Sequence, residues 1–240
     1  MSIDELFNTI QDFCINEGSP EIVKKYSRFF KEGYDAYGID RKAFSEKLKE
    51  WSKDFKSIPS EKEKIEFCNR LVSTGKYELL SLGIMFFKTV AKSLNTEYLE
   101  ICKNWLDRYI SNWAHADILC AEVIKPFIKK GAIEYTYFSE WKKSLSKWTR
   151  RAVPVSLIDL VKKDLSIHEE VLDFVEEFVD DSAREVHQGI GWMLREAWKK
   201  RNDAVEDFLF KIKDYSPRLI IQYATEKMKK EQKQRYKRAK

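Results

Sequence analysis

Glycine and proline are scarce in this 240-residue chain, at 8 and 5, too few for the closely spaced turns of a β-sandwich. Histidine is scarcer still, at three. The four cysteines, Cys14, Cys68, Cys102 and Cys120, are scattered and form no CxxC pair. No zinc spacing can be assembled from these residues, so no metal and no cofactor is expected, and the thiols are expected to be reduced. The longest apolar run, from Leu79 to Phe87, falls far short of the ~20 residues a membrane span needs. Asp4 and Glu5 stand where an export leader would be basic and then apolar, which points to a cytoplasmic protein with no membrane partner. Phosphate-loop, dinucleotide-turn, HExxH and GxSxG patterns are all missing, which removes the commonest nucleotide-hydrolysing, metalloprotease and serine-hydrolase classes.

What is present is charge and apolar surface in quantity. Charged residues make up 35% and hydrophobic ones 43%, enough to bury a core and stay dissolved. The net charge of +5 is unevenly spread. Lys227 to Lys240 holds eight Lys/Arg and one Glu, so the preceding body is close to neutral. Within that body, residues 125–163 hold ten Lys/Arg against three acids, and residues 168–185 hold eight Asp/Glu against Arg184. A basic region followed by an acidic one suggests two electrostatically different faces, and a basic stripe is the footprint expected for a phosphate backbone. A solvated helical surface would give the same count.

Helix signals dominate the pattern. Ser19-Pro20 and Ser216-Pro217 set a capping hydroxyl before a proline already fixed for a first turn. Ser60-x-x-Glu63 and Ser166-x-x-Glu169 read as capping boxes, and Gly75 and Gly131 suit helix C-termini. About a dozen helices are expected. Ala132 to Ser139 could be a strand or the start of a helix, and Pro126 and Pro154 should kink or divide the helices around them. Residues 1–226 are expected to form a single helical-repeat domain. The basic segment 227–240 is expected to be a disordered tail or a frayed helix, able to add non-specific DNA affinity.

Three segments share one logic: Asn112 to Asp117, Lys147 to Ala152, and Gly191 to Glu196. Each sets a tryptophan three or four residues from a charged group, so that both side chains leave one helical face. The tryptophans, 113, 148 and 192, lie 35 and 44 residues apart, close to the roughly 40–47-residue period of stacked helix pairs. A curved solenoid of such pairs lines its concave side with equivalent helices.

The ordered set Trp113-x-x-x-Asp117, Trp148-x-x-Arg151-Ala152 and Gln188-x-x-Gly191-Trp192-x-Leu194-Arg195-Glu196 resembles the AlkD-type DNA alkylation repair family. So do Arg28-Phe29-Phe30 and Tyr37-Gly38-Ile39 upstream, with Phe29 standing where a tyrosine is expected. The resemblance implies an all-α, HEAT-like solenoid with a concave basic groove, acting as a monomer on duplex DNA that carries alkylated bases. The implied activity is hydrolysis of the glycosidic bond of N3- or N7-alkylated purines, without drawing the base into a pocket. It implies Asp117 as the catalytic carboxylate, Trp113 and Trp192 as sugar contacts and Arg151 as the phosphate ligand. Phe29, Lys147, Trp148, Arg150 and Arg195 are the further residues expected on the DNA side, with Arg150 nearer the surface than the groove.

The residue types suit that chemistry. An alkylated purine is already cationic and leaves without a strong acid, so what needs stabilising is the positive charge growing at C1′. A fixed anion does that and can orient water, while indole faces stabilise a cation and exclude solvent. No second carboxylate keeps a fixed spacing from Asp117 to act as an acid. His115, one residue off either motif position, is expected to be structural. Two alternatives remain open at this level: a non-catalytic HEAT-like protein that binds damaged or distorted DNA, and a protein-binding helical scaffold.

Overall fold

The computed structural model describes residues 2–163 and 168–238, and every regular element among them is helical. The chain groups into two compact units, Met1–Val123 and Ile124–Lys240. No helix among the described residues is long and apolar enough to cross a membrane.

In the first unit the caps set where helices begin. Helix α1 (Ile3–Asn16) opens on a reciprocal box between Ser2 and Glu5, and α2 (Pro20–Ser27) on the Ser19 hydroxyl with Pro20 in its first turn. The Asp40 carboxylate accepts from the backbone of Lys42 and Ala43 to start α3 (Arg41–Ser57), and the Ser60–Glu63 box starts α4 (Glu61–Ser73). Each such side chain satisfies a donor the helix leaves orphaned, a gain of about 1 kcal/mol. Gly75, at φ +70°, follows the end of α4. The centre of this unit is α5 (Tyr77–Val90), whose Leu79, Leu80, Leu82, Ile84, Phe86 and Phe87 are all buried. A helix so apolar is covered by neighbours on most sides, here α1, α3, α4 and the short α7 (Trp113–Leu119) that follows α6 (Glu97–Arg108).

A π-helical turn, Cys120–Ile124, leads into α8 (Lys125–Lys129), with Pro126 in the first turn of α8. A proline has no amide to give, and the widened turn precedes the place where that donor is missing. Tyr135–Ser139 and Trp141–Lys143 are 3₁₀ turns, not strand, and Gly131 ends α8 at φ +71°. Then come α9 (Lys147–Lys163), α10 (His168–Glu176), α11 (Arg184–Trp198), α12 (Asn202–Ile212), α13 (Arg218–Ala224) and α14 (Lys230–Gln234). Pro154 lies inside α9 without dividing it. The Ser166-x-x-Glu169 box begins outside the described residues, and α13 starts after Pro217, with Ser216 buried behind it.

Helix α11 is the middle of the second unit, packed against both α9 and α13. Two glycines make this possible. A Cβ on Gly189 would sit 3.2 Å from Pro154 Cγ on α9, and one on Gly191 would sit 2.5 Å from Tyr223 Cβ and 2.8 Å from the Ile220 carbonyl on α13. Positions 189 and 191 are roughly 200° apart around the helix, so α11 is thinned on two opposite sides.

Charges segregated in sequence are paired in space. Lys142 is bound to Glu177, the Lys147 ammonium lies 3.1 Å from Glu185, and Arg150 holds Asp181. In each pair a basic residue of 125–163 meets an acid of 168–185, so at these positions the two regions neutralise each other and do not form opposed faces. The segment 227–238 also departs from expectation. Met228 and Tyr236 are buried, Arg218 donates to the Tyr236 carbonyl at 2.6 Å, and Arg238 donates to the Ser216 carbonyl at 2.6 Å. Among the described residues this is packed chain, because Met228 and Tyr236 carry apolar surface that charge counting passes over.

Candidate functional site

In the first unit, Asn112 builds the start of α7. Its Oδ1 accepts from the His115 amide at 3.0 Å, which caps the helix, and this turns Nδ2 towards His115 Nδ1 at 2.9 Å. The ring is therefore an acceptor at Nδ1, and the proton sits on Nε2, 3.1 Å from the Tyr77 carbonyl and 3.0 Å from Ser81 Oγ. Burial pushes its pKa down to about 4, opposed by the bond to Tyr77. His115 is a neutral strut that ties α7 to α5, the structural duty expected of it.

That strut fixes the first residue of α7. The Trp113 indole donates from Nε1 to the Phe29 carbonyl at 3.1 Å and stacks on Phe30 with centroids 5.8 Å apart and planes 14° apart. It remains 41% exposed, a large rigid ring offered to solvent. Asp117 stands one turn further along on the same side of α7 and is half-buried. Phe29 is 51% exposed, with the Arg28 guanidinium 4.8 Å from its ring centre. Trp113 and Phe29 are thus brought together, with Phe30, which stands in the same upstream motif, stacked on the indole. The capping role of Asn112 was not anticipated, although a capping residue before an apolar-periodic segment is a legible signal; Tyr34, stacked on Phe30, lies in a loop and had none.

The second unit holds the remaining residues on α9 and α11. Arg150 donates from Nε and Nη2 to both Asp181 oxygens, at 2.5 and 3.1 Å, and from Nη1 to the carbonyls of Ser144 and Leu145, at 2.7 and 3.1 Å. That fork is occupied in holding the turn before α9. Arg151, buried on the adjacent side, donates from Nη1 to the Glu185 carbonyl at 2.7 Å. Trp148 is buried, with the Lys147 ammonium 4.8 Å from its ring centre. Trp192 is half-buried, and Arg195 pairs with Glu196 and Glu226. Of the expected DNA contacts in this unit, Lys147, Arg150 and Arg195 are therefore engaged by carboxylates and Trp148 by packing.

A family model for DNA alkylation repair enzymes matches residues 11–228, and the chain belongs to that family. The class is thus a helical DNA repair protein. In structure it is similar to a predicted DNA alkylation repair enzyme from Enterococcus faecalis, with a TM-score of 0.72 over 89% of this chain and 98% of that one. At 16% identity this is a likeness of fold. No curated protein matches the sequence.

Proposed function

We propose that this protein is an AlkD-type DNA glycosylase with a HEAT-like repeat fold, which hydrolyses the N-glycosidic bond of cationic N3- or N7-alkylated purines in duplex DNA. The observation that carries the reading is the start of α7. A half-exposed indole is held on two sides, and a carboxylate follows one turn later. Both are fixed by the Asn112–His115 strut before any ligand arrives, and such preorganisation is what makes an electrostatic contribution to catalysis large. Asp117 stabilises the positive charge growing at C1′ and orients the water. Trp113 shields the sugar from bulk solvent and offers its electron-rich face. The family resemblance assigns Trp192 as the second sugar contact and Arg151 as the phosphate ligand; within its own unit the Arg151 fork is steadied by the Glu185 carbonyl. Phe29, Lys147, Trp148, Arg150 and Arg195 complete the expected DNA side, Lys147, Arg150 and Arg195 through cations that are ion-paired with carboxylates in this structure. The substrate's own charge makes it a good leaving group, so the reading requires no cofactor, and a monomer suffices.

Release of N7-methylguanine from methylated duplex without added metal tests the proposal. Wild type is expected to release the base and Asp117→Asn to lose at least about a hundredfold in rate, the order seen when one preorganised electrostatic group is removed, with duplex affinity kept. Binding of the duplex by both proteins with release by neither would replace this reading with the non-catalytic one.

A further inference from the structure

Three of the cations expected on the DNA side, Lys147, Arg150 and Arg195, are already paired with carboxylates. In the first unit the balance is different. Lys25, Arg28 and Arg41 are exposed and form no ion pair among the described residues. All three stand beside the proposed sugar contact. Lys25, Arg41, Phe29 and Trp113 line one cleft of about 730 Å³, and the Arg28 guanidinium lies 4.8 Å from the centre of the Phe29 ring.

Local acids do not neutralise them. From Pro20 to Lys42 the chain has six Lys/Arg and four Asp/Glu, and three of those acids are engaged elsewhere. Glu21 accepts from the Ser19 hydroxyl, Asp35 is bound to Lys76, and Asp40 accepts from the amides that open α3. Helix stability explains some of the cations but not all. Lys25 and Arg28 close α2, the end where the helix dipole favours positive charge. Arg41 opens α3, in a first turn without an acid, where the same dipole disfavours it. The fold gives no reason for a cation there; the neighbouring indole does.

The backbone that carries these residues is fixed before a ligand arrives. The Ser19 amide, at the start of α2, donates to the carbonyls of Tyr37 and Gly38 at 3.0 and 3.2 Å. Gly38 sits at φ +83°, where a Cβ would meet the Ser19 carbonyl at 2.3 Å, so this close approach needs glycine. From the other side the buried Glu78 carboxylate accepts from the amides of Tyr37, Gly38 and Ile39 at 2.9, 2.8 and 3.4 Å. The start of α2 and the approach to α3 are thereby held to each other and to α5.

A deoxyribose held against Trp113 carries a phosphate on either side, and successive phosphates of a strand advance only about 3.4 Å along the duplex axis. We propose that Lys25, Arg28 and Arg41 form a cationic rim that grips these flanking phosphates of duplex DNA. The two guanidinium forks suit phosphate oxygens, and Lys25 adds a point charge. The inference rests on the glycosylase reading for the sugar at Trp113.

Salt titration of binding to an undamaged duplex tests it on the full chain, with no chemistry required. Each phosphate contact contributes about 0.9 to the slope of log affinity against log salt, so losing three lowers the slope by roughly 2 to 3. That fall is expected when Lys25→Ala, Arg28→Ala and Arg41→Ala are combined. Lys25→Arg, Arg28→Lys and Arg41→Lys together keep the slope, because counterion release follows charge. Lys53→Ala, Lys56→Ala and Lys62→Ala remove three other exposed cations of the same unit and are expected to lower it by less than about 1. Equal falls in the two alanine triples would mean a general charge effect and overturn the proposal, as would an unchanged slope in the first. Base release from methylated duplex is measured alongside. Release by wild type with no slope change in the first triple overturns this inference alone. The expected slope change with no release by wild type sinks the glycosylase reading and leaves the rim standing. No duplex binding by wild type at low salt removes both.

Discussion

His115 shows how one buried residue ties stability to pH. Its ring titrates near 4 in the folded protein and near its ordinary value of 6.5 when unfolded. Between those values the unfolded chain holds a proton that the folded chain does not. The contribution of His115 is therefore fully present above about pH 6.5 and falls as pH drops, by about 3 kcal/mol at pH 4. Urea unfolding over that range should show this loss in wild type and its absence in His115→Gln; parallel slopes would refute the assignment. Arg150 makes a different residue-level case. Asp181 has a side chain only 6% exposed, and removing its partner leaves a charge poorly solvated, an arrangement that costs about 3 kcal/mol or more. Arg150→Ala should lower stability by that order. A change under about 0.5 kcal/mol would return Arg150 to the role of a spare cation.

At the scale of elements, two of the helix starts named in sequence cap as spaced, while Ser216 does not: Pro217 stands at the start of α13 and the Ser216 hydroxyl is buried without capping it. Ser19, Ser60 and Glu63 cap where their spacing placed them, since a cap is a contact within four residues and needs no knowledge of the rest of the chain. Pro154 was misleading because only a local rule was available: tertiary packing around α9, buried from Ala152 to Ile158, outweighs one missing hydrogen bond. Gly191 carries information of the longer-range kind. Its spacing within the motif is plain in sequence, but the reason for a glycine is the backbone of α13. Gly191→Ala should force α11 and α13 apart and cost about 1–3 kcal/mol, read as a lowered Tm. An unchanged Tm would mean that the two helices can slide without penalty.

For the whole molecule, the C-terminal segment is the informative test. Its charge led to the expectation of a tail, yet Tyr236 is fully buried and the Arg218 and Arg235 side chains hold it to the second unit. Truncation after Glu226 should therefore lower the Tm of the protein as well as the salt dependence of DNA binding. A shorter chain with an unchanged Tm would restore the tail. The all-helical class, the helix starts at Ser19 and Ser60 and the family were legible along the chain, because capping, periodicity and ordered motifs are carried by residues close together. Only folding shows which arginines are occupied, where segregated charges cancel and how aromatic rings gather beside Trp113. Those depend on partners some 30 to 85 residues away, such as Asp181 for Arg150 and Phe29 for Trp113, and no spacing rule reaches that far.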